Sequence, residues 1–251
     1  MPVHRLCEMT WEEVRDADRA SAVAILPVGA VEAHGPHLPL GTDVIIAEAM
    51  AREAGEALAA DDRTVFILPP LWYTAAGFAQ GFSGTIGVDG DVVSGLVRDI
   101  ASALLAQGIH TLAIANAHLD PANLMSLRSA AAAAPDGLDV VFLDLTRRAT
   151  AALLTQEFQT GACHAGRFEG SVVLAEAPAL FRDEVAAGLE PNPASLSDAI
   201  RDGHKTFEEA GGPRAYFGWP AEATAEEGRR TVEVLGSLLA EAVRSSAGAV
   251  G

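Results

Sequence analysis

Apolar residues in this chain gather in short, nearly unbroken runs, each followed by a helix-length segment that mixes apolar and polar positions. A strand buried on both faces is apolar throughout, whereas a helix buries one stripe. The alternation therefore predicts a parallel sheet covered by helices. The first run, Ala22 to Val28, is ended by Gly29. After a loop, Thr42 or Asp43 stands where a helix cap belongs, and the helix runs through about Leu58. Thr64 to Leu68 forms a second strand, stopped by Pro69 and Pro70. Asp91 to Ala106 reads as a helix closed by Gly108, and Thr111 to Ala115 as a strand leading into Asn116-Ala117-His118. Pro121 to Ala133 suits a helix with proline in its first turn. Val140 to Leu143 is another buried strand, and a long helix from about Ala221 to Val243 ends the fold.

No repeat or low-complexity linker divides the chain, so residues 1–251 are expected to form a single α/β domain. The formal net charge of −17 argues against nucleic acid or an anionic membrane as a partner, since both would repel it. No stretch approaches the roughly 20 consecutive apolar residues of a membrane span. The first residues, MPVHRLCEMTWEEV, lack the apolar core of a signal peptide, which points to the cytoplasm. Two cysteines, Cys7 and Cys163, are too few for a secreted disulfide framework and read as reduced thiols. Cys163 lies beside His164 and is an alternative nucleophile, though better hydrolytic chemistry is at hand.

That chemistry lies in three clusters. Glu32 and His34 sit two apart in a loop that Gly29, Gly35, Pro36 and Pro39 keep from being helical, with His37 close by. In an extended backbone such residues project to one side. Asp43 follows at the start of a helix, where it either caps backbone N–H groups or bridges two ions. Asn116, His118 and Asp120 follow a buried strand with the same spacing, so His118 and Asp120 can share a face. Ligands in open α/β sheets collect beyond the carboxyl ends of strands, and both segments lie there. Nitrogen and carboxylate donors without thiolate suit Zn²⁺ or Mn²⁺. Five such donors exceed what one tetrahedral ion needs, and a two-metal site with Asp43 as the bridge accommodates them. The third cluster is His164, Gly166 and Glu169. There His164 is suited to move a proton to a leaving nitrogen, and Glu169 either takes part or simply caps or decorates a helix. The glycine-rich stretch around Gly81, Ser83, Gly84 and Thr85 offers backbone donors to a substrate carbonyl or anion. A phosphate site is excluded by pattern, since neither a P-loop lysine nor a GxGxxG fingerprint is present.

These segments resemble the creatininase family, the metal-dependent amidohydrolases named after creatinine amidohydrolase. The likeness runs from MTWEEV (9–14) through LPVGAVEAHGPHLPLGTD (26–43), GFSGTI (81–86) and NAHLD (116–120) to HAGRFEGS (164–171). It implies a three-layer αβα sandwich around a mostly parallel sheet, two divalent ions (Zn²⁺, Mn²⁺ or both) with a bridging hydroxide, and a homo-oligomer, often a hexamer. It also implies Glu32, His34, Asp43, His118 and Asp120 as metal ligands and His164 as the catalytic histidine. Glu169 matches the acidic residue of the family's Glu-Thr-Ser run, as a further ligand or a group behind one. Many relatives read Asn-Gly-His-Gly-Gly-Asn where this chain has Asn116 to Pro121. Creatininase itself carries a glutamate at the position of Asp120, one methylene longer. The creatinine-cleaving enzymes place a glutamate directly before the histidine and a tryptophan slightly earlier. Here Cys163 takes the first position, Gln159 to Ala162 hold no aromatic, and Glu-Thr-Ser has become Glu169-Gly170-Ser171. Metal chemistry is thus expected to be retained and creatinine is not the expected substrate.

The expected activity is hydrolysis of a non-peptide or unusual amide C–N bond in a small molecule. Family relatives also remove formyl groups from pyrimidine intermediates or trim a modified precursor peptide during cofactor maturation, so a deformylase or peptidase is the alternative within the class. The rival from another class is a non-catalytic metal-binding scaffold. Retention of all five metal-type side chains argues against it.

Overall fold

A computed structural model describes residues 3–247. In chain order the elements are strand β1 (Val3–Arg5), helix α1 (Trp11–Asp16), β2 (Val23–Val28), α2 (Thr42–Ala59), β3 (Val65–Ile67), α3 (Gly90–Ala106), β4 (Thr111–Asn116), α4 (Pro121–Ala132) and β5 (Asp139–Phe142). Five short helices follow, α5 (Arg148–Ala151), α6 (Gln156–Thr160), α7 (Arg167–Glu176), α8 (Asp183–Ala187) and α9 (Leu196–Arg201), before the long α10 (Ala225–Ala247). The five strands form one sheet in the order β1-β3-β2-β4-β5, and every pairing is parallel.

The apolar run of β2 is sorted by the pleat. Val23 and Ile25 face a core built with Ile46 and Met50 of α2 and Leu235 and Leu239 of α10. Ala24, Leu26 and Val28 face the opposite core, with Val93, Val97 and Leu104 of α3 and Leu127 of α4. Two filled faces on one sheet make the αβα sandwich. Fully burying a side chain of this size contributes roughly 1.5–3 kcal/mol, so the paired cores dominate the favourable side of folding.

Strand β2 is central, and the chain leaves it toward β3 on one side before returning to β4 on the other. Such a reversal opens a crevice beyond the carboxyl ends of the two strands. Val28 pairs with Asn116, and the Ala117 N–H donates to the Val28 carbonyl at 3.0 Å, so the loops after β2 and β4 start side by side.

Besides the short helices α1, α5, α6, α8 and α9, which the apolar pattern does not announce, three details depart from the sequence expectation. Val3–Arg5 forms an edge strand that the pattern does not announce, because three residues are too few to show a period. Neither Thr42 nor Asp43 caps α2: the cap position is Gly41, and the Thr42 hydroxyl donates to the Pro39 carbonyl at 2.7 Å. The terminal helix begins at Ala225, after a 3₁₀ turn at Pro220–Glu222. Thr224 restarts it by accepting a hydrogen bond from the Glu227 N–H at 3.2 Å.

The approach of α10 to α2 requires glycine at position 236. A Cβ there would lie 2.3 Å from Glu53 Cβ and 2.9 Å from the Ala54 nitrogen. Helix propensity alone favours Gly236→Ala by about 1 kcal/mol. The clash with backbone reverses the sign, and a net loss of about 1–3 kcal/mol is expected in urea unfolding. A stabilised variant would show that the two helices are free to move apart.

Candidate metal centre

Four loops and helix starts converge at the crevice. The loop after β2 is held by the Gly29 N–H donating to the Leu71 carbonyl (3.0 Å), the Glu32 N–H to Leu40 (3.0 Å) and the Ile86 N–H to Val31 (2.9 Å). Gly29 is needed for close approach, since a Cβ there would sit 2.5 Å from the Val44 nitrogen and 2.8 Å from the Asp43 carbonyl carbon. That contact sets the first turn of α2 against the end of β2 and turns Asp43 inward. After β4, the Asn116 and Asn123 side chains donate to the His118 carbonyl at 2.8 and 2.9 Å and fix the second loop.

Glu32, His34, Asp43, His118, His164 and Glu169 are all buried and lie together. Each histidine spends one ring nitrogen on a backbone carbonyl: His34 Nδ1 on Glu32 (3.1 Å), His118 Nε2 on Ala75 (2.7 Å) and His164 Nε2 on Ala33 (2.9 Å). A carbonyl only accepts, so these nitrogens carry the proton and the opposite nitrogens face the carboxylates with lone pairs when neutral. His34 Nε2 lies 3.2 Å from Asp43 Oδ1 and 3.6 Å from Glu169 Oε2. His118 Nδ1 lies 3.0 Å from Asp43 Oδ2 and 3.3 Å from Glu32 Oε1. Asp43 thus turns one oxygen to each ring.

Two donor sets result, Glu32–Asp43–His118 and His34–Asp43–Glu169, each tight enough to hold a metal ion, and they share Asp43. A third overlapping set is Glu32, His34 and His164, with His164 Nδ1 3.8 Å from Glu32 Oε1. Buried Glu32 Oε2, His34 Nε2 and Asp43 Oδ2 have no hydrogen-bond partner among the described residues. Burying a carboxylate without a partner or a proton is costly, so this arrangement fits cations at its centre.

Asp120 is the exception among the expected ligands. Its Oδ1 accepts from the Ala122 N–H (2.8 Å) as the cap of α4, and its Oδ2 accepts from the Phe78 N–H (3.1 Å). A side chain this short, directly before Pro121 at the helix start, reaches its own helix and the neighbouring turn, each oxygen accepts one backbone N–H, and Asp120 is in none of the tight donor sets found among the described residues. Gly81, Ser83, Gly84 and Thr85 also lie elsewhere. A cavity of about 550 Å³ opens onto the cluster, and none of the four lines it. Thr85 instead accepts the Ala33 N–H at 3.1 Å and braces the Glu32–His34 loop from behind. His37 stays out of the cluster too. It is buried edge-on against Phe181 at 5.8 Å, and burial, with His34 and Arg214 nearby, lowers it to about 4, so it is neutral.

The cysteine alternative weakens. Cys163 lines the cavity, but burial and the carboxylates of Glu169 and Glu157 push its thiol up to about 12, so little thiolate forms at neutral pH. His164 behaves oppositely. Burial, reinforced by His34, holds it well below its ordinary value and keeps it neutral and able to accept a proton.

Glu157 is a residue that the sequence gives no reason to choose. Buried in α6, it accepts the N–H groups of Arg167 (2.8 Å), Phe168 (2.6 Å) and Trp219 (2.8 Å). The cap residue of α7, Gly166, has no side chain to do so, and Glu157 caps that helix from outside. It thereby fixes the turn between His164 and Glu169. Glu157→Ala should cost about 1–3 kcal/mol in urea unfolding for the N–H groups left unpaired. Glu157→Gln, which keeps one acceptor oxygen, should recover part of that loss. Equal stability of all three proteins would mean that water or another group caps α7.

Known proteins support the same reading. A protein from Mycobacterium tuberculosis described as a mycofactocin precursor peptide peptidase is 32% identical over 213 residues, covering 82% of this chain and 78% of its own length. A crystal structure of creatinine amidohydrolase (creatininase) superposes with a TM-score of 0.77 at 25% identity, covering 97% of both chains. Creatininase structures described as a Mn form and a Zn–Zn form share the fold at 24% identity, with TM-scores of 0.72 and 0.74 and coverage of 98% of this chain and 99% of theirs. The family model described as creatinine amidohydrolase matches residues 7–243, and the chain belongs to the creatininase family of hydrolases.

Proposed function

We propose that this protein is a single-domain, cytoplasmic amide hydrolase that works with two divalent ions, Zn²⁺ or Mn²⁺, on a C–N bond other than that of creatinine. The observation that carries the reading is the pair of buried donor sets sharing Asp43, in which Glu32 Oε2, His34 Nε2 and Asp43 Oδ2 have no hydrogen-bond partner among the described residues. Glu32 and His118 would hold one ion, His34 and Glu169 the other, and Asp43 both. Glu169 is therefore assigned to the metals rather than to proton transfer, and Asp120 to the scaffold. When bound, two such ions make a strongly nucleophilic water available near neutral pH and polarise the substrate carbonyl.

The protein's own residues do the rest. His164 starts neutral, with Nε2–H held by Ala33, and its free Nδ1 takes the proton released as water adds to the carbonyl carbon. It returns that proton to the nitrogen as the C–N bond breaks, giving a carboxylic acid and an amine, which leave as carboxylate and ammonium once the acid's proton passes to the amine. Phe207, whose ring centre is 4.2 Å from that of His164, holds the imidazole in place and keeps water off one face. Homo-oligomer formation is part of the proposal and is supported by the exposed Leu40, Trp72, Tyr73 and Ile86, large apolar side chains of the kind that subunit contacts cover. A peptide amide, as in the name of the mycobacterial relative, is the second reading of the substrate.

Chelation followed by dialysis should abolish amide hydrolysis, and Zn²⁺ or Mn²⁺ should restore it. His118→Ala and Asp43→Ala should lower turnover by at least about 10²-fold with the far-ultraviolet dichroism unchanged. Elemental analysis should find two ions in the wild type and fewer in Asp43→Ala. Full activity after stringent chelation would sink the proposal, and two bound ions without turnover on any amide or formamide would favour the scaffold.

Binding must displace protons. Without metal, burial opposes charge on His34, but Asp43, Glu169 and Glu32 outweigh it and raise it to about 10. His118 is likewise raised well above its ordinary value by Glu32 and Asp43 against burial, and burial raises Glu169 to about 8. All three are therefore mainly protonated at pH 7, and metal affinity should rise between pH 6 and 8 with net proton release, measured calorimetrically in buffers of different ionisation enthalpy. The two histidines stabilise the metal-free fold fully below their unfolded value of about 6.5, and that stability is lost as pH rises through their raised folded values. Glu169, an acid raised on folding, pulls in the same direction above its unfolded value of about 4.3. Metal-free protein should accordingly lose thermal stability from pH 7 to 10, and metal-loaded protein should lose less. Affinity independent of pH would contradict the donor assignment.

A further inference from the structure

The cavity above the cluster is chemically divided. Beyond its acidic floor, the walls include Phe78, Phe158, Phe207 and Leu196, and Arg148 and Arg201 are also among the lining residues. The chain has 17 basic residues against 34 acidic ones, and the arginines beside this cavity differ in how they are partnered. Arg147 is bound to Asp144 at 3.2 Å and Arg128 to the same carboxylate at 2.6 Å. The Arg148 side chain, one residue on, has no ion pair or hydrogen bond among the described residues. Arg201 pairs with Asp198 three residues earlier in α9, both side chains largely exposed. Such contacts contribute little in water and exchange readily for a better acceptor.

A planar guanidinium with a free donor fork matches a carboxylate with two parallel hydrogen bonds, and an aromatic wall beside it suits an apolar side chain on the same ligand. About 550 Å³ is ample for such a molecule. We propose that Arg148, assisted by Arg201, selects amides that carry a free carboxylate and an apolar side chain, of the class of N-acylated apolar amino acids. Hydrolysis adds one water across the C–N bond and yields the acyl carboxylate and the free amino acid. This inference rests on the hydrolase reading above and specifies its substrate class.

The test separates recognition from chemistry. N-methanesulfonyl-L-phenylalanine and its N-methylamide differ in the carboxylate and have a sulfonamide in place of the scissile amide, so binding can be titrated on the metal-loaded protein without turnover. Wild type should bind the carboxylate form at least about tenfold tighter. Arg148→Ala should bring it close to the affinity of the neutral form, and Arg148→Lys should keep part of the difference, since an ammonium lacks the fork. Equal binding of the two probes by wild type, no binding of either, or an equal loss of both in Arg148→Ala would overturn the inference. N-acetyl-L-phenylalanine and its N-methylamide then report chemistry on the Zn²⁺- or Mn²⁺-loaded protein. Carboxylate-selective binding without turnover would sink the hydrolase reading and leave recognition standing. Turnover of both acetyl compounds at the same kcat/KM would do the reverse.

Discussion

Three carboxylates, Glu32, Asp43 and Glu169, are buried within a few ångströms of one another, and the structure around them is arranged to make that tolerable. Desolvated like charges repel strongly in a low-dielectric interior, and the molecule can answer only with protons or with cations. The structure shows the first answer and has room for the second. Glu169 is pushed toward its neutral form by burial and His34 and His118 toward their charged forms by the carboxylates, while the same atoms form two donor sets sharing Asp43. A pair of divalent ions would replace those protons with more charge in the same space, which is why the proposed function starts from this cluster.

Orientation is supplied by the backbone. Each of the three histidines is aimed by a backbone carbonyl, His34 and His164 by the adjacent Glu32 and Ala33 of the loop after β2 and His118 by Ala75. Those carbonyls are fixed by the Gly29 contact with α2, by the Thr85 brace and by the loop ladder on Val31 and Leu40. Glu157 performs the equivalent task for α7, accepting three N–H groups that Gly166 cannot serve. Precision at the cluster therefore depends on residues that never touch it.

The cavity above the cluster has a different character from its floor. Aromatic walls and arginines face an acidic centre, so a ligand is met by apolar contact, by a cation and by the candidate metal centre in turn. Departures from the family's usual residues cluster around this cavity: Cys163 beside His164 is one of its lining residues, as is Asp120 in the loop after β4. The centre fits the shared chemistry of the family, and the walls are where this chain differs.

The order of strands and helices follows from sequence alone, because burial on two faces imposes an apolar run and burial on one imposes a helical stripe. The run Ala22 to Val28, the stripe after Thr42 and the proline-opened helix at Pro121 each carry that periodicity. The convergence of Glu32, His34, Asp43 and His118 was likewise legible, since loops at the carboxyl ends of adjacent parallel strands must meet, whereas His164 follows a helix and only the family resemblance pointed to it. Long-range backbone contacts decided what the sequence left open. Asp43 was free to cap or to bridge until Gly41 took the cap position. Asp120, spaced from His118 just as His34 is from Glu32, turned to the N–H groups of Ala122 and Phe78. Spacing fixes which side of an extended backbone a residue leaves, but not whether an unpaired N–H from a distant turn is waiting there. Nor does it reveal Glu157 or Arg148, whose significance lies in partners present, or missing among the described residues, across the fold.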